Sequence, residues 1–102
     1  MLEQIRDILI THERKGNPIT SGQIAQTIGI VENATYAKTR ALILQCAEHY
    51  ALPLAAGNQG YYLITNSTEF DEYIANLNSR IAGIEERKQI ITKNFERWNN
   101  NR

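Results

Sequence analysis

The 102-residue sequence predicts a mainly helical α+β chain: three helices, a β-hairpin and a long C-terminal helix. Three observations predict it. In the first half, apolar residues recur at helical spacing, and Gly or Pro breaks separate the runs. Residues 57–62 read Gly-Asn-Gln-Gly-Tyr-Tyr between two short β-prone segments, which is a hairpin signal. From Phe70 to Trp98 the apolar spacing alternates between four and three, which is the heptad pattern of a helix that packs along its length.

The first helix rests on Leu2, Ile5, Ile8 and Leu9, with Glu3, Gln4, Arg6 and Asp7 between them. It is expected over about 2–14, where Gly16-Asn17-Pro18 stops it. Pro18-Ile19-Thr20 reads as short and extended. Ser21 is expected to cap a second helix that turns Ile24, Ala25 and Ile28 inward. Gly29 ends it, where a left-handed residue is wanted. After the turn Ile30-Val31-Glu32, Asn33 is the expected cap of a third helix over about 34–49. Its Thr39, Leu42, Ile43, Cys46 and Tyr50 share one face. Tyr36, Ala37, Arg40 and Leu44 lie on or near the other.

The hairpin joins Leu52–Ala55 to Tyr61–Thr65. Gly57 and Gly60 make its turn, and Asn58 and Gln59 form a polar tip. Strand neighbours point to opposite sides, so one of Tyr61 and Tyr62 must face the core. The long helix follows, capped by Ser67 or Thr68. Its acids Glu69, Asp71 and Glu72 suit the positive end of the helix dipole. The seam is Phe70, Ile74, Leu77, Ile81, Ile84, Lys88, Ile91, Phe95 and Trp98, apolar except at Lys88. About 32 helical residues span roughly 48 Å, too long to bury the whole stripe against one small core. The distal half therefore needs a partner, and a second copy of the chain is expected there. The seam leaves the direction of the partner helix open. The chain thus divides into residues 1–66 and 67–102.

Eleven basic and eleven acidic residues cancel, so no overall field draws the chain to nucleic acid or to anionic membrane. Local charge is uneven. Between Asn33 and Gln45 only Lys38 and Arg40 are charged, and from Arg87 onward five basic residues face the single acid Glu96. The lone Cys46 cannot pair within the chain and reads as a small core residue. No apolar run approaches the roughly 20 residues of a membrane span, and no signal peptide opens the chain. A cytoplasmic location is expected. His12 and His49 lack neighbours at ligand spacing, and neither a nucleophile–base pair nor a glycine-rich phosphate loop is present. No metal, no cofactor and no enzymatic activity are expected.

The order of helix, short strand, helix, tight turn, helix and hairpin is that of a winged helix-turn-helix. In that arrangement the third helix enters the major groove and the hairpin, or wing, reaches the backbone. The candidate DNA contacts are Asn33, Thr35, Tyr36, Lys38, Thr39 and Arg40 on the third helix. On the wing they are Asn58, Gln59 and Tyr61. Candidate dimerisation residues are Ile74, Leu77, Ile81, Ile84, Lys88, Ile91, Phe95 and Trp98.

The runs Ile19–Ala25, Arg40–Ile43, Leu52–Leu54 and Gly60–Leu63, followed by Glu69-Phe70 and Asn78–Ile81, resemble a known family. It comprises the small winged helix-turn-helix proteins of bacteriophages and mobile elements, and related modules of some restriction endonucleases. The resemblance covers about residues 1–85. It implies a sequence-specific DNA-binding protein, a homodimeric transcriptional regulator whose partner is duplex DNA. The chain departs from the family pattern at Val31, Leu44, Cys46 and Ala47. Two other readings fit the same element order. One is a DNA-packaging protein resembling the small terminase subunit. The other is a protein-interaction module that keeps the winged fold without DNA binding.

Overall fold

The computed structural model describes residues 1–100. Asn101 and Arg102, the end of the predicted C-terminal segment, lie outside the described residues. The elements are α1 (Leu2–Leu9), α2 (Ser21–Ile28), α3 (Ala37–Tyr50), β1 (Leu54–Gly57), β2 (Gly60–Leu63) and α4 (Ser67–Asn100). The architecture is mainly helical α+β, with four helices and a two-stranded antiparallel sheet. Two compact units divide at the first turn of α4: Met1–Phe70, and the helix from Asp71 onward.

The core of the first unit joins Ile5 and Leu9 of α1, Ile19, Ile24 of α2, Ile43 and Cys46 of α3, and Leu63 of β2. Each pair on one helix is three or four residues apart, so each helix presents one stripe inward. Burying side chains of this size contributes about 1.5–3 kcal/mol each. Leu2, Ile28, Leu42, Leu52, Leu54 and Tyr61 pack around this centre.

Helix α1 ends at Leu9, short of the expected Arg14. The cause is tertiary. The N–H groups of Thr11 and His12 turn back to the carbonyls of Ile8 and Leu9 at 3.1 and 2.9 Å, which tightens the last turn. The chain then leaves the helix to meet β2. Leu63 N–H donates to His12 O at 2.9 Å, and Arg14 N–H donates to Leu63 O at 2.8 Å. Arg14 takes a positive φ of 78° in doing so. Five residues on, Ile19 and Tyr61 exchange both backbone hydrogen bonds, at 2.8 and 2.7 Å. The short extended segment expected at 18–20 is therefore a pairing partner of the hairpin.

The hairpin has the register Leu54–Leu63, Ala55–Tyr62, Ala56–Tyr61 and Gly57–Gly60, with Asn58 and Gln59 at the tip. Of its two glycines only Gly60 has a positive φ, 126°. A Cβ there would stand 2.4 Å from the Ile19 carbonyl oxygen. Gly60 therefore serves the approach of the hairpin to Ile19, which corrects the assignment of both glycines to the turn.

The caps of α2 and α4 differ from expectation. On α2 the cap is Thr20, with Ser21 the first helical residue. Thr20 Oγ1 accepts the Gln23 N–H at 3.1 Å, and Gln23 Oε1 accepts the Thr20 N–H at 2.9 Å, a reciprocal capping box. Gly29 closes the helix at φ 79°, as expected. On α4 the cap is Asn66, whose Oδ1 accepts the Glu69 N–H at 2.8 Å. Neither Ser67 nor Thr68 is needed, because Asn66 already stands one residue before the helix. Glu69 then reaches across the unit, and its Oε2 accepts the Lys15 N–H at 3.0 Å. Helix α3 ends on Ala51 in the left-handed conformation, φ 53°, with Leu52 N–H bonded to Ala47 O at 2.9 Å.

Two substitutions test these constraints by urea unfolding. Gly60→Ala should destabilise by about 2 kcal/mol or more, from positive-φ strain and the clash with Ile19. Gly57→Ala, with nothing within 4 Å of its added methyl, should stay within about 0.5 kcal/mol of the parent. An equal effect at both positions would show that the approach to Ile19 is not what Gly60 serves. Ala51→Gly should stabilise by about 0.5–1 kcal/mol, because glycine tolerates the left-handed cap that alanine strains.

Candidate functional site

The candidate site is the outer surface of α3 together with the α2–α3 turn and the hairpin tip. Its scaffold is the inner face of α3, where Thr39, Ile43 and Cys46 are all wholly buried. Burial pushes the Cys46 thiol above its usual range, and its Sγ lies 3.4 Å from the Leu2 carbonyl oxygen. A buried, protonated thiol is a packing group rather than a nucleophile.

The turn into α3 is built differently from the expectation. The helix begins at Ala37, three residues later than expected, because Tyr36 is left-handed with φ 51°. The Tyr36 ring lies on α2, so close that a Cβ on Gly22 would stand 3.2 Å from it. Asn33 is not the cap. Its Oδ1 accepts the N–H of Thr35 at 3.1 Å and its hydroxyl at 2.6 Å, which closes a local turn. The start of α3 is instead held by Glu32. Its carboxylate accepts the Lys38 N–H and the Thr39 N–H, each at 2.8 Å, and the Thr39 hydroxyl.

Glu32 is the residue that sequence reasoning missed. It carries no local signature, since it stands six and seven residues before the groups it bonds and acts only once the turn has closed. Its pKa is lowered, chiefly by the Thr39 hydroxyl, against an opposing effect of desolvation; the two backbone N–H groups and the Lys38 charge add to the lowering. The N-terminal amides of α3 form an anion site, as at any helix start. Here that site is filled from within, so Lys38 and Arg40 reach outward only with their side chains.

The candidate contacts therefore separate. Lys38 and Arg40 are exposed, on a face shared with Ala37, Ala41, Leu44 and Gln45. Asn33 and Thr35 are exposed in the turn but bonded to each other. Tyr36 is half-buried against Gly22. Thr39 faces inward, wholly buried with its hydroxyl given to Glu32, and is not available to a ligand. On the hairpin, Asn58 and Gln59 are exposed at the tip, whereas Tyr61 is half-buried and packs on the core. Tyr62, on the other face of β2, is buried as well, so both tyrosines are engaged.

In the second unit the seam of α4 is open. Ile81, Ile84, Ile91, Phe95 and Trp98 are each more than half exposed, Ile74 is 38% exposed, Leu77 is half-buried and Lys88 is exposed. Among the described residues no group of His, Cys, Asp and Glu is placed to hold a metal ion. Among them, too, no helix is long and apolar enough to cross a membrane. Comparison with protein-family models, with curated protein sequences and with solved structures returns no match.

Folding lowers the Glu32 pKa, so its contribution is present above the ordinary carboxylate range. It is lost as pH falls through the lowered value. Glu32→Gln should therefore flatten the acid limb of a stability–pH profile measured by urea unfolding. An acid limb unchanged from the parent would remove Glu32 from the start of α3.

Proposed function

We propose that the first unit is a winged helix-turn-helix that binds duplex DNA sequence-specifically, with α3 in the major groove and the hairpin tip at the backbone. The protein would act as a homodimer through α4, as a transcriptional regulator of the phage or mobile-element type. One observation carries this reading. Helix α3 is held rigidly by a buried inner face and by the Glu32 bonds, while its outer face from Ala37 to Gln45 is exposed and carries only basic charge. A helix braced on one side and open on the other, directly after a short helix and a glycine turn, suits groove docking. Two linked modules would offset the weak field of a neutral chain, since the second contact becomes intramolecular.

A second reading draws on two exposed apolar side chains. Val31 is 99% exposed and Leu44, on the outer face of α3, is 62% exposed. Apolar groups at those positions suit a protein partner better than a phosphate backbone.

Fluorescence anisotropy with random-sequence duplexes at two salt concentrations separates the readings. Salt-sensitive binding is expected, with Lys38→Ala lowering the logarithmic salt slope by about one if Lys38 neutralises a phosphate. On a selected site, Arg40→Ala should cost about 1–3 kcal/mol if Arg40 reads a base. No binding by the intact protein even at low salt would overturn the DNA reading and favour the protein-interaction surface.

A further inference from the structure

The seam of α4 is a regular stripe on an uninterrupted helix, and the residues beside it carry a sorted charge pattern. With Ile74, Ile81, Lys88 and Phe95 at heptad position a, position d holds Leu77, Ile84, Ile91 and Trp98. The flanking g positions then include Arg80 and Arg87, and the flanking e positions include Asp71 and Glu85. Basic charge lies on one flank and acidic charge on the other.

That sorting distinguishes the two directions a partner helix can run. In a parallel pair, a g residue faces the e residue of the next heptad on the other helix. Arg80 then faces Glu85 of the second copy, and symmetry makes the pair twice. In an antiparallel pair, g faces g and e faces e. The antiparallel alignments that match most of the apolar seam set Arg80 against Arg87, Arg80 against itself, or Arg87 against itself. Like charges at these positions repel.

We propose that α4 forms a parallel, in-register, two-stranded coiled coil with a second copy of this chain, its direction set by the Arg80–Glu85 pairs. This rests on the homodimer reading above and adds the geometry of the dimer. Lys88 meets its own copy in this arrangement. A lysine at a single a position lowers stability but selects register and strand number. Its long stem lies along the seam while the ammonium group reaches water. A parallel coil also brings the starts of both helices to one end. An antiparallel coil of this length would hold them roughly 40 Å apart.

The test uses the full chain. Sedimentation equilibrium at low salt should show a dimer. Arg80→Glu should weaken it by about tenfold and Glu85→Arg by a similar factor, because each sets like charge against like. The double substitution should restore parent affinity. Mere damage to the helix would leave the double variant as weak as the singles, and that outcome would overturn the proposal. The antiparallel alignment that sets Arg80 against Arg87 predicts the opposite sign for Arg80→Glu, since the introduced carboxylate would then face Arg87, so a tighter dimer overturns the proposal while leaving the homodimer intact. In the other antiparallel alignments Arg80 and Glu85 do not face each other, so the double substitution would not restore parent affinity. Ile91→Cys gives an independent readout. Under mild oxidation it should yield a covalent dimer on a non-reducing gel, absent from the parent with its buried Cys46. An Ile91→Cys variant that dimerises without cross-linking would reject the parallel, in-register alignment. A monomer at all concentrations would reject the proposal and the homodimer reading together, without touching DNA binding by the first unit.

Discussion

The backbone of β2 is the constraint on which the first unit depends. Its residues Tyr61 and Leu63 stand opposite Ala56 and Leu54 of β1, while their own N–H and C=O groups bond on the other edge, to the segment between α1 and α2. Ile19 and Tyr61 exchange a full pair of hydrogen bonds, and Leu63 is bridged by His12 and Arg14. A lone two-stranded hairpin is marginal in water. These added pairings give it a third side and tie it to the segment that enters α2. Gly60 makes the approach sterically feasible, and a side chain there would collide with the Ile19 carbonyl.

From that pairing the rest of the unit follows in order. Ile19 is drawn into the core beside Leu63, and Thr20, the next residue, is delivered as the cap of α2. The glycine turn at Gly29 reverses the chain, and Glu32 comes to lie under the start of α3. Its carboxylate satisfies two helix N–H groups that have no partner within the helix. The outer face of α3 is thus positioned by contacts on the inside, none of which uses the exposed side chains of Lys38 or Arg40. The proposed interface can vary without disturbing the scaffold that holds it.

The α4 helix obeys a different logic. Its caps and first turn belong to the compact unit, through Asn66 and Glu69, but from Asp71 its apolar residues have no core of their own to enter. An exposed stripe of Ile, Phe and Trp at heptad spacing favours a partner of matching length. The charges beside the stripe carry the directional information that the stripe itself lacks.

Several features were legible in the sequence alone. Apolar periodicity marked the inward faces of α2 and α3, Gly29 marked the end of α2, and the Gly-Asn-Gln-Gly run marked the hairpin. These are local signals, because helix and strand periods and glycine's access to positive φ act within a few residues. The seam of α4 was equally plain, being a long repeat. What only the tertiary structure decided lies where distant segments meet. Helix α1 stops at Leu9 because β2 claims the backbone of His12 and Arg14. Asn33 yields the start of α3 to Glu32 because the turn brings that carboxylate beneath Lys38 and Thr39. Tyr36 and Tyr61 fold inward onto Gly22 and the core, and Gly60 answers to Ile19 across the sheet. Each of these depends on a hydrogen bond or a contact between residues that no local pattern links, and long-range pairing overrode the local preference.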